Sequence, residues 1–209
     1  MIRRLLFILA AAATLTPWPA SAHPHVYVTV KSELVYGPDG AVTAVRHAWT
    51  FDDLFSTYAT QGLQTKEKGV FTKEELAPLA EVNVTTMKEY NYFTHVKADG
   101  KKVAFADAKD YWLEFKDSLL TLYFTIPLQA PLKPKALELE VYDAEYFVDL
   151  SFDEKNPAKL AGAPSACKMT MTTPQQPEPM QRFGRSFSPA EANAGMGAQF
   201  ASKISVKCQ

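Results

Sequence analysis

The sequence predicts a mainly β (α+β) protein, an antiparallel β-sandwich with a helical insertion and a short C-terminal helix. Three observations carry this. Short runs rich in aromatic and branched residues recur along the chain. Turn clusters such as Gly37-Pro38-Asp39-Gly40 and Asp99-Gly100 separate them. Helical spacing is confined to a few short segments, and a run of strands with few helices is the pattern of a sandwich.

In order, the first residues read as a signal peptide at 1–22. Arg3 and Arg4 are a positive start, Leu5 to Leu15 is an apolar run too short to span a bilayer, and Ala20-Ser21-Ala22 is a small-residue cleavage site. The general secretory route is expected, because the arginine pair lacks the fuller twin-arginine context. Residues 23–209 then form a single β-rich domain, with enough chain for one core. No later stretch reads as a transmembrane helix. Losing Arg3 and Arg4 leaves a slight acidic excess over the 22 basic and 23 acidic residues of the whole chain. No basic cluster stands out, which argues against nucleic acid as a partner.

The domain opens on an alternating strand. Val26, Val28 and Val30 share one face, and His23, His25, Tyr27 and Thr29 the other. Val42 to Phe51 returns as the second arm of a hairpin. Asp52 caps a short helix through Tyr58 that Gly62 ends. Thr72 to Glu75 has the form of a capping box, and the helix after it runs to Asn91, with Pro78 predicting a kink or a later start. Tyr92 to Val96 and Lys102 to Phe105 read as a hairpin. Asp110 to Phe115, Leu119 to Ile126, Ala136 to Tyr142, Tyr146 to Phe152 and Cys167 to Thr173 read as further strands. A Pro-rich loop follows at about 174–187, and Ser188-Pro189-Ala190-Glu191 starts the C-terminal helix, which Gly195 and Gly197 weaken.

The two cysteines, Cys167 and Cys208, read as a disulfide, because a Cys-based metal site needs a closely spaced pair. The bridge closes a loop of about 40 residues and is expected to contribute about 4 kcal/mol.

The chemistry is concentrated at the mature terminus. Cleavage leaves His23 with a free α-amine, whose pKa near 8 leaves a neutral fraction able to bind metal. Amine and imidazole on one residue chelate a single ion, and His25, two residues on, puts its ring on the same side. Pro24 has no N–H, so the square-planar mode that uses deprotonated backbone amides cannot form fully. What remains resembles in outline the histidine brace of periplasmic copper carriers and copper oxygenases. Imidazole suits zinc, copper and nickel. His95 reads as a solvated residue or a third ligand, and His47, on a face with Trp49 and Phe51, as a core histidine. Met169, Met171 and Met180 read as packing rather than copper(I) ligands. No nucleophile elbow, phosphate loop or His-Glu-x-x-His is present, so an enzyme is not expected.

Four segments together carry a resemblance: His23-Pro24-His25-Val26, Trp49-Thr50-Phe51-Asp52, Tyr92-Phe93-Thr94-His95, and Val141-Tyr142-Asp143 followed by Tyr146-Phe147-Val148-Asp149. With Cys167 and Cys208, they resemble the exported family called domain of unknown function 1007, over all but the Pro-rich segment. That family is labelled the periplasmic component of an uncharacterised transport system and is found beside nickel/cobalt-type transporters. The resemblance implies a periplasmic protein that handles a divalent transition metal ion (Ni, Co, Zn or Cu) and partners an integral membrane metal transporter. It brings in Asp143 and Asp149 as further candidate ligands beside His23 and His25. Two other readings stay open: a copper redox enzyme using the N-terminal histidine, and a protein-interaction module presenting Tyr90, Tyr92 and Phe93.

Overall fold

The computed structural model describes residues 24–67, 69–174 and 195–208. The expected signal peptide, His23, all but the first residue of the Pro-rich segment, Met180 and the start of the Ser188 helix lie outside the described residues.

Two sheets face each other. One is ordered β5(Lys109–Lys116), β6(Leu119–Leu132), β2(Val42–Phe51), β1(Val26–Tyr36), β8(Val148–Phe152), with β9(Ala158–Ala161) also on β1. The other is ordered β10(Lys168–Thr172), β11(Lys203–Lys207), β7(Ala136–Val141), β3(Thr94–Ala98), β4(Lys101–Lys102). The mainly β, sandwich-like expectation holds, with one correction to its antiparallel character. β8 and β9 run parallel to β1, lying one after the other along the same edge. Parallel neighbours need a long crossover, and the chain spends most of the second sheet making it.

Alternation sets the inner faces. Val28, Val30, Leu34, Val45, Trp49, Leu122, Phe124 and Ile126 are buried from one side, and Val96, Leu137, Leu139, Val141, Ile204 and Val206 from the other. His47 is buried among them, as expected. Its Nδ1 lies 2.9 Å from Ser32 Oγ and its Nε2 3.2 Å from Thr94 Oγ1. Thr94 donates its own proton to the Tyr92 carbonyl. Thr94 therefore accepts from Nε2–H, and Ser32 donates to Nδ1. This neutral ring bridges the two sheets.

Two helices follow β2. α1(Asp53–Thr60) is capped by Asp52, whose Oδ1 accepts from Phe55 N at 2.8 Å. α2(Lys73–Lys88) starts on the expected capping box of Thr72 and Glu75. Pro78 neither delays nor ends it: the residue is exposed inside the helix, and Leu76, Ala80, Val84 and Met87 bury the opposite stripe. That burial offsets the hydrogen bond which Pro78 lacks.

Strand boundaries moved where backbone conformation overrode side-chain type. Tyr92 and Phe93 are not strand residues. Asn91, Tyr92 and Phe93 have φ of 52°, 53° and 49°, a left-handed turn that costs about 1–2 kcal/mol per residue. Burial of Tyr92, the bond from Ala108 N to its hydroxyl and the bond from Asn91 Nδ2 to Thr94 O offset the strain. Tyr92 is thus core, and Phe93 is half-buried and stacked on Tyr90 at 5.3 Å. β4 is shorter than the expected Lys102–Phe105 strand, and β8 begins at Val148 rather than Tyr146. Near the C-terminus the described residues hold a 3-10 turn, Met196–Gln199.

Cys167 and Cys208 form the expected disulfide, tying together the adjoining ends of β10 and β11. A formed disulfide marks an oxidising, extracytoplasmic compartment. No helix among the described residues is long and apolar enough to cross a membrane.

Candidate functional site

His25 lies at the entry to β1. Its backbone N–H donates to Phe147 O at 2.9 Å, and its ring lies 4.7 Å from the Phe147 ring. The side chain is exposed, on the strand face it shares with Tyr27 and Thr29. Across the parallel β1–β8 ladder, Tyr27 is opposite Asp149 and Thr29 opposite Ser151. His25 and Asp149 thus share one outer sheet face, one diagonal step apart.

Each flank of this site has a local cause. On the β2 side, Asp52 joins β1 to α1. Its backbone N–H donates to Tyr27 O at 2.9 Å, and its Oδ2 accepts from Tyr27 N at 2.8 Å, while Oδ1 caps the helix. On the β8 side, Asp143 is buried and shapes the loop. Its Oδ1 accepts from Glu145 N at 3.0 Å, and its Oδ2 from Phe147 N at 2.9 Å and Val148 N at 3.1 Å. The loop turns through Tyr146 at φ 56°, which aims Phe147 at His25 and starts β8 at the right register. Asp143 therefore spends its carboxylate on backbone donors. Asp149 is more available: Ser151 Oγ donates to its Oδ1 at 3.0 Å and Tyr146 OH to its Oδ2 at a long 3.5 Å.

Between these flanks is an open cavity of about 230 Å³. Tyr27, Asp52, Asp149 and Ser151 contribute polar groups to its lining, and Val28 and Leu119 apolar ones. This is below the roughly 300–1,000 Å³ of a typical small-molecule site.

The structure places the other expected ligands elsewhere. His95 sits on the second sheet, opposite Glu140, with its ring 3.9 Å from Tyr142. Burial lowers its pKa, opposed first by a hydrogen bond with the Tyr142 backbone and then by Glu140, while Lys102 and Lys97 push it down further. Met169 packs against the core and Met171 is partly exposed on β10. Among the described residues no three His, Cys, Asp or Glu side chains are grouped to hold a metal. His25 and Asp149 can supply two donors on one face, and His23 lies outside the described residues.

Sequence reasoning passed over Tyr27, Ser151 and Gly197. Tyr27 and Ser151 were legible only as outward positions, because the parallel register that joins them was not. Gly197 read as a helix breaker. Its role is instead a close approach. A Cβ at this position would overlap the Asp143 carbonyl oxygen. The 3-10 turn docks there through Gly197 N to Ala144 O at 3.3 Å and the Phe200 ring 5.0 Å from Tyr146. Gly197→Ala is expected to destabilise the protein by about 1–3 kcal/mol, the range for overpacking. Urea denaturation of the two proteins checks it, and an unchanged midpoint would show that the turn yields freely.

Comparison with known proteins adds little chemistry. The chain is 30% identical over 93 residues to an "Uncharacterized 15.5 kDa protein in trpE 3'region" of Spirochaeta aurantia, a stretch that is 44% of this chain and 66% of that protein. The chain thus spans just under two thirds of that relative's length. Among solved structures, the acetylcholine-binding protein type 1 of Biomphalaria glabrata is 10% identical with a TM-score of 0.34, over 98% of this chain and 97% of that one, a likeness too low to carry an argument. The family match is broad. The model described as "Protein of unknown function (DUF1007)" matches residues 8–208, so the chain belongs to that family.

Proposed function

We propose that this protein is a periplasmic carrier of a divalent transition metal ion, which it binds as cargo at its mature N-terminus and exchanges with an integral membrane metal transporter. The observation that carries the reading is the placement of His25. Among the described residues it is the imidazole nearest the expected cleavage site, and it is exposed on a sheet face with Asp149 one diagonal step away. By contrast, His47 is sealed in the core. The ligand set is the His23 amine and ring, the His25 ring and the Asp149 carboxylate. Asp143 orients the loop that brings Asp149 and Phe147 to His25. Nitrogen donors with one carboxylate suit zinc, nickel, cobalt or copper(II) better than magnesium or calcium. A site with few protein ligands at an exposed terminus also suits transfer, because an incoming ligand can approach without the fold opening.

The test is calorimetric titration with nickel, cobalt, zinc and copper on protein beginning at His23, beside the same protein with one added N-terminal residue. The extended protein is expected to lose about tenfold or more in affinity, at least 1.4 kcal/mol, because a peptide nitrogen replaces the amine. His23→Ala with His25→Ala should abolish tight binding. Equal affinity in all three proteins would remove the terminus from the site and end the carrier reading.

A further inference from the structure

The surface around His25 combines two features that extend beyond the metal site and share only Asp149 with it. The first is apolar exposure. Tyr27 is 54% exposed, Leu54 74% and Tyr58 75%. Leu54 and Tyr58 are four residues apart on α1, so they form one outward stripe. Phe55, Ser56 and Ala59 face inward on the same helix. The two Asp52–Tyr27 hydrogen bonds fix the start of α1, and so the root of this stripe, against β1.

The second feature is charge. Asp52 and Asp149 line the cavity, Asp53 and Glu145 are exposed in the segments on either side of it, and none of the four is in an ion pair among the described residues. Segments 24–30, 50–61 and 142–151, which build this end of the sheet, hold no Lys or Arg. An apolar stripe and carboxylates without a cationic partner at one end of the sheet, with a side-chain-sized cavity lined by Asp52 and Asp149, complement a basic and apolar segment.

We propose that this end of the sheet is a docking surface for a basic, apolar segment of a partner protein, which seats one Arg or Lys side chain in the cavity between Asp52 and Asp149. An anchoring side chain in a central cavity with an apolar rim is the usual anatomy of an interface hot spot. Tyr27 at the cavity wall adds a ring face for a guanidinium. The proposal rests on the carrier reading only for the partner's identity, the protein that exchanges metal at His25. It also gives that exchange a reason for its location, because docking brings the partner to the metal.

The test uses two fluorescent synthetic peptides, one alternating Leu with Arg and one alternating Leu with Glu, titrated with chelator present. The Arg peptide is expected to bind, more weakly as salt is raised, and the Glu peptide is not. The double variants Leu54→Ser/Tyr58→Ser and Asp53→Lys/Glu145→Lys, both at exposed positions, should each weaken binding by about tenfold or more. NMR shifts on peptide addition should fall on residues 25–29, 52–58 and 145–151. Failure of the Arg peptide to bind, equal binding of both peptides, or shifts mapping elsewhere would overturn the proposal. Self-association in sedimentation that both variants abolish would also overturn it, by making a second copy the occupant. Lost peptide binding with metal affinity intact removes only the docking proposal. Lost metal affinity with peptide binding intact removes only the carrier reading.

Discussion

Lowering the pH from 6.5 to 5 is expected to cost this protein about 2 kcal/mol of stability through His47 alone. Burial lowers the pKa of this ring from 6.5 to about 3. No ionised group offsets that burial: the ring contacts Ser32, Thr94, Trp49 and Phe124. Below pH 6.5 the unfolded chain takes up a proton that native His47 refuses. The stabilisation is therefore whole above pH 6.5 and is lost as pH falls towards 3, at about 1.36 kcal/mol per pH unit. Urea denaturation at pH 7 and pH 5 measures it. His47→Gln lowers stability at both pH values by disturbing the bridge between the sheets, and it should also flatten the difference between them. His95 adds to the slope in the same sense, because its pKa is lowered too. A pH dependence unchanged in His47→Gln would mean that the ring is not sealed from solvent.

Replacing both cysteines by serine is expected to cost about 4 kcal/mol, from the loop entropy that a 41-residue separation restores to the unfolded chain. The comparison is denaturation of Cys167→Ser/Cys208→Ser against the oxidised protein, with reductant on the latter as a second route to the same state. β11 is an interior strand of its sheet, flanked by β7 and β10, and the bridge joins its last turn of chain to the edge strand β10. Loss of the bridge should therefore free β10 first, and amide exchange in Lys168–Thr172 should quicken before exchange in β7. A loss below about 1 kcal/mol would mean that the unfolded chain already holds these segments together.

Where the chain has strong local signals, the fold was legible. Alternating valines placed β1 with His25 outward, and the Gly37–Gly40 turn joined it to β2. Thr72 and Glu75 marked the start of α2. The structure departs from these local signals where backbone conformation opposes side-chain preference. Tyr92 and Phe93 are typical strand residues held in a left-handed turn, because a buried ring and three hydrogen bonds outweigh local propensity. Tyr146 likewise has a strand former's side chain, and the buried Asp143 carboxylate, by holding Phe147 N and Val148 N, keeps it in a loop.

The candidate site divides along the same line. Residue types and short spacings already pointed to the outward face of His25, the Asp52 cap, the core position of His47 and the disulfide, since each depends on neighbours in sequence or on simple counting. The parallel register that sets Asp149 opposite Tyr27, the diversion of Asp143 to backbone donors, the separation of His95 onto the other sheet and the close approach at Gly197 are long-range facts. They follow from how two sheets pack over one core, where the fit of distant surfaces decides which side chains meet.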